Sequence, residues 1–202
     1  MLQAGSGPWR EFCHDQRMAE SLAGKLLVAS LSLTDPNFFR TVVLVCMHDG
    51  EGALGLVLNR PLENEPVEDH MPGFAPLAAH PGVVFHGGPV QTGSALVLGR
   101  HHDWVITPPT NAVVRRTALL DLAQPFEEVG PTLAEVRVFA GYAGWTAGQL
   151  ESEVEQEAWF VVDPLETDLF TSEPDELWRS VLRRQPGKLA MFAFAPADPS
   201  VN

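Results

Sequence analysis

Residues 41–60 read TVVLVCMHDGEGALGLVLNR. The first seven are rich in β-branched side chains and almost wholly apolar, which suits a strand covered on both faces. Asp49-Gly50-Glu51-Gly52 follows as a hairpin-type connection, because glycine reaches the positive φ values that tight turns demand. Residues 53–59 return to an apolar run, so the two segments are expected to pair as antiparallel neighbours. Such a hairpin puts His48 near its tip and Arg40, Asn59 and Arg60 near its other end.

Upstream, residues 24–30 make a short apolar strand, set off by the turn signal Asp35-Pro36-Asn37. Downstream, residues 61–81 are polar and proline-rich, with room for a short helix near 67–71. Strands are expected at 83–86 and 95–99, flanking Gly87-Gly88-Pro89, and again at 136–140 and 159–162. Residues 117–123 suit a helix ending before Pro125. Residues 175–184 suit another: Leu177/Val181 and Trp178/Leu182 are i,i+4 pairs, acids open it, and Arg183-Arg184 close it. Residues 1–20 lack periodicity and read as a loose leader before one domain spanning 21–202. Strands dominate and hairpins outnumber βαβ crossovers, which predicts an α+β fold, mostly antiparallel.

Thirteen basic residues against 26 acidic ones leave a net charge of −13. Phosphate affinity comes from Lys and Arg, so direct nucleic acid binding is disfavoured. Arg115-Arg116 and Arg183-Arg184 are adjacent pairs, not a basic stripe. No apolar run approaches the roughly 20 residues of a membrane-spanning helix. No secretory pattern opens the chain, and a cytoplasmic protein is expected. Cys13 and Cys46 lack ligand spacing, and Cys46 reads as packing inside its strand. No metal or cofactor is called for.

Residues 141–159, GYAGWTAGQLESEVEQEAW, follow a strand and lead into an acidic helix. Glycines before a helix start can receive an anion, but the spacing fits no nucleotide fingerprint and no Lys or Arg lies nearby. A T-x-x-Q capping box explains more: Thr146 would accept from the Gln149 amide while Gln149 reaches back. Glu151 then sits near the positive helix end. Capping leaves Tyr142 and Trp145 unexplained; they either wall a pocket or cover the sheet end.

Arg40 and Arg60, with Asn59, could cradle a carboxylate or phosphate, or simply pair with the chain's own acids. His86-Gly87-Gly88-Pro89 is reminiscent of oxyanion loops, but no G-x-S-x-G elbow accompanies it, and a tight turn is the simpler use. His101-His102-Asp103 suits a solvated turn better than a metal site, since neighbours on a strand point oppositely.

Several stretches together resemble the AlgH/YqgE family: Asp35-Pro36-Asn37-Phe38, Arg40-Thr41-Val42, His48, Gly52-Ala53 and residues 55–61. Gly87-Gly88-Pro89-Val90, Gly141-Tyr142-Ala143-Gly144-Trp145, Gly148-Gln149-Leu150-Glu151 and Asp198-Pro199-Ser200 continue the resemblance in order over about 24–202. It implies a small bacterial cytosolic protein with coiled, partly bifurcated β-sheets and packed helices. It carries an association with transcriptional regulation and implies no particular reaction or cofactor. The leader at 1–20 departs from the family pattern.

The resulting expectation is a non-enzymatic ligand-binding or protein-interaction domain, regulatory or adaptor in kind. Its candidate site residues are Arg40, His48, Asn59, Arg60, Gly87, Gly88, Tyr142, Trp145, Gln149 and Glu151, with a small anionic ligand or a protein as partner. No complete catalytic set is present. The rival is an enzyme using His48 as acid or base beside an arginine-held anion, which requires them to share a cleft. A transcriptional regulator is a third reading, and as a direct DNA binder it would need a positive face.

Overall fold

The computed structural model of the chain describes residues 21–102 and 112–196. The leader at 1–20, Asp103 and Asp198-Pro199-Ser200 lie outside the described residues. Among the described residues, ten strands form the sheet: β1 (Leu26–Ala29), β2 (Val42–Asp49), β3 (Gly52–Val57), β4 (Pro61–Pro66), β5 (Val83–His86), β6 (Val90–His101), β7 (Ala112–Val114), β8 (Thr117–Leu119), β9 (Leu133–Thr146) and β10 (Trp159–Val162). The helices are α1 (Val67–His70), α2 (Phe126–Val129), α3 (Gln149–Glu155), α4 (Glu166–Leu169), α5 (Leu177–Arg183) and α6 (Leu189–Phe192).

The sequence-predicted hairpin is present. β2 and β3 pair antiparallel from Val43↔Val57 to Asp49↔Gly52, leaving Gly50-Glu51 as the turn. Asp49 Oδ1 accepts the Glu51 amide at 2.9 Å and pins that turn. The main path runs β10-β1-β2-β3-β9-β6-β8-β7, and the fold is α+β and mostly antiparallel. β9 is the spine. One of its edges carries β6, while the other carries β5 at Phe139-Ala140 and then β3 at residues 143–146. The sheet therefore forks along one long strand, and β5 with β9 is the parallel pairing.

Packing follows this fork. On one face, Leu26, Leu44, Leu56, Phe85 and Phe139 meet Leu177, Trp178, Val181 and Leu182 of α5. On the opposite face of the β1–β3 part, Val43, Val45, Val57 and Trp145 meet Leu150 of α3. A third cluster, with Val67, Val97 and Val138, covers the far face of the β6–β9 part. Each fully buried Leu or Val there contributes roughly 1.5–3 kcal/mol by leaving water.

Several expectations need correction. The strand expected at 136–140 does not end there: residues 141–146 continue it as the end of β9, because Gly52-Ala53-Leu54-Gly55 offers a strand edge with which 143–146 pair. Residues 117–119 are strand β8 rather than a helix, since Leu98-Gly99-Arg100 of β6 supplies a ladder that outweighs local helix preference. The proline-rich stretch contains β4, which pairs with β5 at Pro61↔Phe85 and Pro66↔Val83 with a register shift between them. Prolines lack an N–H and are tolerated there because β4 is an edge. The helix expected at 175–184 opens as a 3-10 turn at Pro174–Glu176 and becomes α-helical from Leu177.

Gly87-Gly88-Pro89 is not a tight hairpin turn either. β5 and β6 lie on opposite edges of β9, so these three residues cross over its backbone. A Cβ on Gly87 would sit 2.2 Å from the Gly141 carbonyl oxygen, and one on Gly88 would sit 2.2 Å from the Tyr142 carbonyl carbon. The glycines allow two backbones to touch.

Candidate functional site

The ten nominated residues fall into three groups. His48, Trp145, Gln149 and Glu151 gather around α3. Arg40, Asn59 and Arg60 gather at the far end of β2 and β3, and Gly87, Gly88 and Tyr142 meet at the crossover. His48 and Arg40 are a strand's length apart, about 25 Å at 3.3 Å per residue.

A β-bulge decides where His48 points. Val45 pairs with Gly55 and Met47 with the adjacent Leu54, so Cys46 is the extra residue. Simple alternation would send His48 to the face of Leu44 and Cys46. The bulge turns it to the α3 face instead, where its Nε2 lies 3.0 Å from Glu151 Oε1. Its Nδ1 accepts the Leu22 amide at 2.9 Å, so Nε2 carries the proton and donates to Glu151. The His48 side chain is 4% exposed, and it lies neither near the arginines nor against the hollows described below. The same bulge pushes Met47 outward on the other face, 56% exposed.

Half of the expected capping box forms. Gln149 Oε1 accepts the Thr146 amide at 3.1 Å, but the Thr146 hydroxyl donates to the same oxygen at 3.2 Å rather than accepting from the helix. The N-cap is Gly148, at φ 74°, because Thr146 is held in β9 by its pairing with Gly52. Gln149 also donates to Glu153 Oε1 at 3.0 Å. Glu153 Oε2 accepts two indole N–H groups, from Trp145 at 2.9 Å and Trp159 at 2.8 Å. Phe38 packs on both rings, at centroid distances of 6.3 and 5.6 Å. Glu153, Trp159 and Phe38 were not nominated from sequence; the register of α3 beneath two tryptophans is their only signal.

Arg40 and Arg60 bind carbonyls rather than acids. Arg40 donates to the Ala195 oxygen at 3.1 Å and to that of Pro196, and its guanidinium lies 4.9 Å from the Trp178 ring. Arg60 donates to the Phe39 and Asn59 carbonyls. Burial lowers both arginine pKa values; the Arg179 charge adds to the effect at Arg40, and Asp175 opposes it at Arg60. Asn59 clamps the strands, accepting from the Val42 amide and donating to the Arg40 carbonyl, each at 2.9 Å. Gly87 donates its amide to the Ala140 carbonyl at 2.9 Å, so it offers no oxyanion donor.

A further buried cation escaped sequence reading. Arg137, 2% exposed, donates to the His80 and Thr171 carbonyls at 2.8 and 2.7 Å and stacks on Phe85 at 4.4 Å. Burial brings its pKa down to about 10, against the opposing effect of Glu135, so it stays charged at neutral pH. Burial likewise pushes the Cys46 thiol up, away from nucleophilic use.

Tyr142 and Trp145 do wall a hollow. It measures about 470 Å³ and is lined also by Met47, Asp49, Glu51 and Leu54. A second hollow of about 480 Å³, reaching Leu96, Leu119, Asp121 and Leu122, shares Met47 and Leu54 with it. Carboxylates and apolar groups line both, and among the described residues no Lys or Arg does. Among the described residues, no group of His, Cys, Asp and Glu could hold a metal ion.

This forked sheet with its α3 and α5 layers has relatives. The model of the AlgH-like family (DUF179) matches residues 26–190. A UPF0301 protein of Streptomyces avermitilis is 48% identical over 186 residues, covering 90% of this chain and 96% of its own. One from Nocardia farcinica is 41% identical over 196 residues, covering 96% and 90%. The crystal structure of protein DIP2367 from Corynebacterium diphtheriae superposes with TM-score 0.78 at 29% identity, over 85% of this chain and 91% of that one. The solution structure of the AlgH protein from Pseudomonas aeruginosa gives 0.63 at 28%, over 91% and 99%. The chain belongs to the AlgH-like family.

Proposed function

We propose that this is a cytoplasmic, non-enzymatic interaction domain, regulatory or adaptor in kind, that receives a protein partner at the paired hollows around Met47. The observation that carries this is the lining itself: an exposed methionine and Tyr142 beside Asp49, Glu51 and Asp121, with no cation among the described lining residues. Methionine adapts to irregular apolar partners, and the carboxylates favour a basic one. A small anionic ligand has less support, because Arg40 and Arg60 already hold backbone carbonyls. Any part in transcriptional regulation would run through such a partner, since a net charge of −13 opposes contact with DNA. The acid–base reading of His48 lacks a shared cleft with either arginine.

The test is a photo-crosslinking side chain placed at Met47 in living cells, with the exposed Glu63 of β4 as the control position. A discrete protein adduct from position 47 alone, lost in Tyr142→Asp, is the expected result. Equal adducts from both positions, or none, would reject the reading.

A further inference from the structure

The segment that leads into β1 is held at one point. From Gly24 onward the backbone is in the ladder: the Gly24 amide donates to the Val45 carbonyl at 2.8 Å, and the Val45 amide donates to the Lys25 carbonyl at 3.0 Å. Ahead of Gly24 that ladder stops. Beyond their own turn, in which the Lys25 amide donates to the Leu22 carbonyl, residues 21–23 reach the fold through two hydrogen bonds among the described residues. Both end on His48. The Ser21 hydroxyl donates to the His48 carbonyl and the Leu22 amide donates to His48 Nδ1, each at 2.9 Å. The half-buried Leu22 side chain packs on the cluster that contains Val45 and Leu150.

The bond at Nδ1 exists only while that nitrogen keeps its lone pair. A second proton makes both ring nitrogens donors, and an N–H then stands opposite the Leu22 N–H. At the other nitrogen nothing is lost, because Nε2 donates to Glu151 Oε1 at 3.0 Å in either state and a charged ring strengthens that bond. Protonation therefore breaks the tie to the segment and keeps the tie to α3. Among the charged groups on the packed elements, Glu151 is the one in contact with the ring. Glu153 of α3 holds the two indoles, Asp49 and Glu51 belong to the hairpin turn, and Lys25 pairs with Asp163 at 2.5 Å. Across the ladder from His48, Ala53 and then Trp145 bring no charge.

We infer that His48 is an acid-released latch on the segment leading into β1: its neutral ring holds residues 21–23 down, and its protonated ring stays on Glu151 and lets them go. The latched form has no place for the second proton, so acid favours the released form by mass action, up to about tenfold per pH unit. Release uncovers the apolar seat of Leu22 beside α3 while β1 keeps its ladder. The inference rests on contacts of the α3 face and is independent of the Met47 hollow.

Amide exchange of the full chain is followed residue by residue between about pH 7.5 and 5.5, where imidazoles titrate, with the His48 ring-nitrogen shifts recorded on the same sample. Exchange is expressed as protection, which allows for the slower chemistry of exchange in acid. Protection at Leu22 is expected to fall about tenfold over that range, with the midpoint of the His48 ring, while that at Gly24 holds steady. His48→Asn sets an amide oxygen near the Nδ1 position and cannot titrate, so its Leu22 protection should not depend on pH. Glu151→Gln keeps an acceptor for Nε2 but removes the counter-charge, so release should need a lower pH. Four results would overturn the inference: a ring that stays neutral throughout, a ring that takes the proton with Leu22 still protected, a pH dependence that survives in His48→Asn, or a Glu151→Gln profile identical to that of the parent.

Discussion

His48 Nε2 lies 3.0 Å from Glu151 Oε1, joining the end of β2 to α3, while the opposite ring nitrogen holds the Leu22 amide at 2.9 Å. One imidazole thus ties together a strand, a helix and the segment that precedes β1. The ring itself is 4% exposed, whereas the Glu151 side chain is 34% exposed.

Glu151→Ala leaves the His48 Nε2–H without an acceptor and should cost about 1–3 kcal/mol, read from the urea midpoint. His48→Leu should cost a similar amount and, unlike Glu151→Ala, speed amide exchange at Leu22. Unchanged exchange there would show that the ring does not hold this segment.

Glu153 accepts both indole N–H groups, so Glu153→Ala should cost about 3 kcal/mol and shift tryptophan emission. Glu153→Gln keeps one carbonyl oxygen and should recover more than half of the loss. Equal damage from the two substitutions would mean that the charge, not the hydrogen bonding, matters.

Asn59 presents an acceptor to Val42 and a donor to the Arg40 carbonyl. Asn59→Asp sets a carboxylate oxygen against that carbonyl and should destabilise by about 2–3 kcal/mol. If the residue instead served only to bind a ligand, thermal stability would not change.

Gly88 and Gly148 both have positive φ, yet they should respond differently to alanine. Nothing lies within 4 Å of a Cβ on Gly148, so Gly148→Ala should cost about 1–2 kcal/mol of backbone strain. Gly88→Ala meets the β9 backbone at 2.2 Å and should cost more than about 4 kcal/mol, or prevent folding. Comparable melting points for the two variants would disprove the crossover.

The β2–β3 hairpin was legible because apolar runs on either side of Asp49-Gly50-Glu51-Gly52 need only local pairing. The α+β class and the strands at β1, β5 and β10 were legible as short apolar runs, although the strands they pair with lie far along the chain. The glycine motifs at 87–88 and 141–144 were visible, but not their cause. One close contact between two distant backbones accounts for Gly87, Gly88 and Gly141, and no local pattern encodes it. Residues 117–119 misled because helix preference competes with a ladder supplied by β6.

By itself the sequence determined the charge, the apolar strand periodicity, the family resemblance and the identities of Tyr142, Trp145 and His48 as residues out of place in a plain core. Tertiary structure alone decided that a bulge at Cys46 turns His48 towards Glu151 and Met47 towards solvent. It alone decided that the arginines hold carbonyls and that β10 comes to lie beside β1. Periodicity records which side chains leave water, whereas these outcomes depend on register and on which distant backbone arrives alongside.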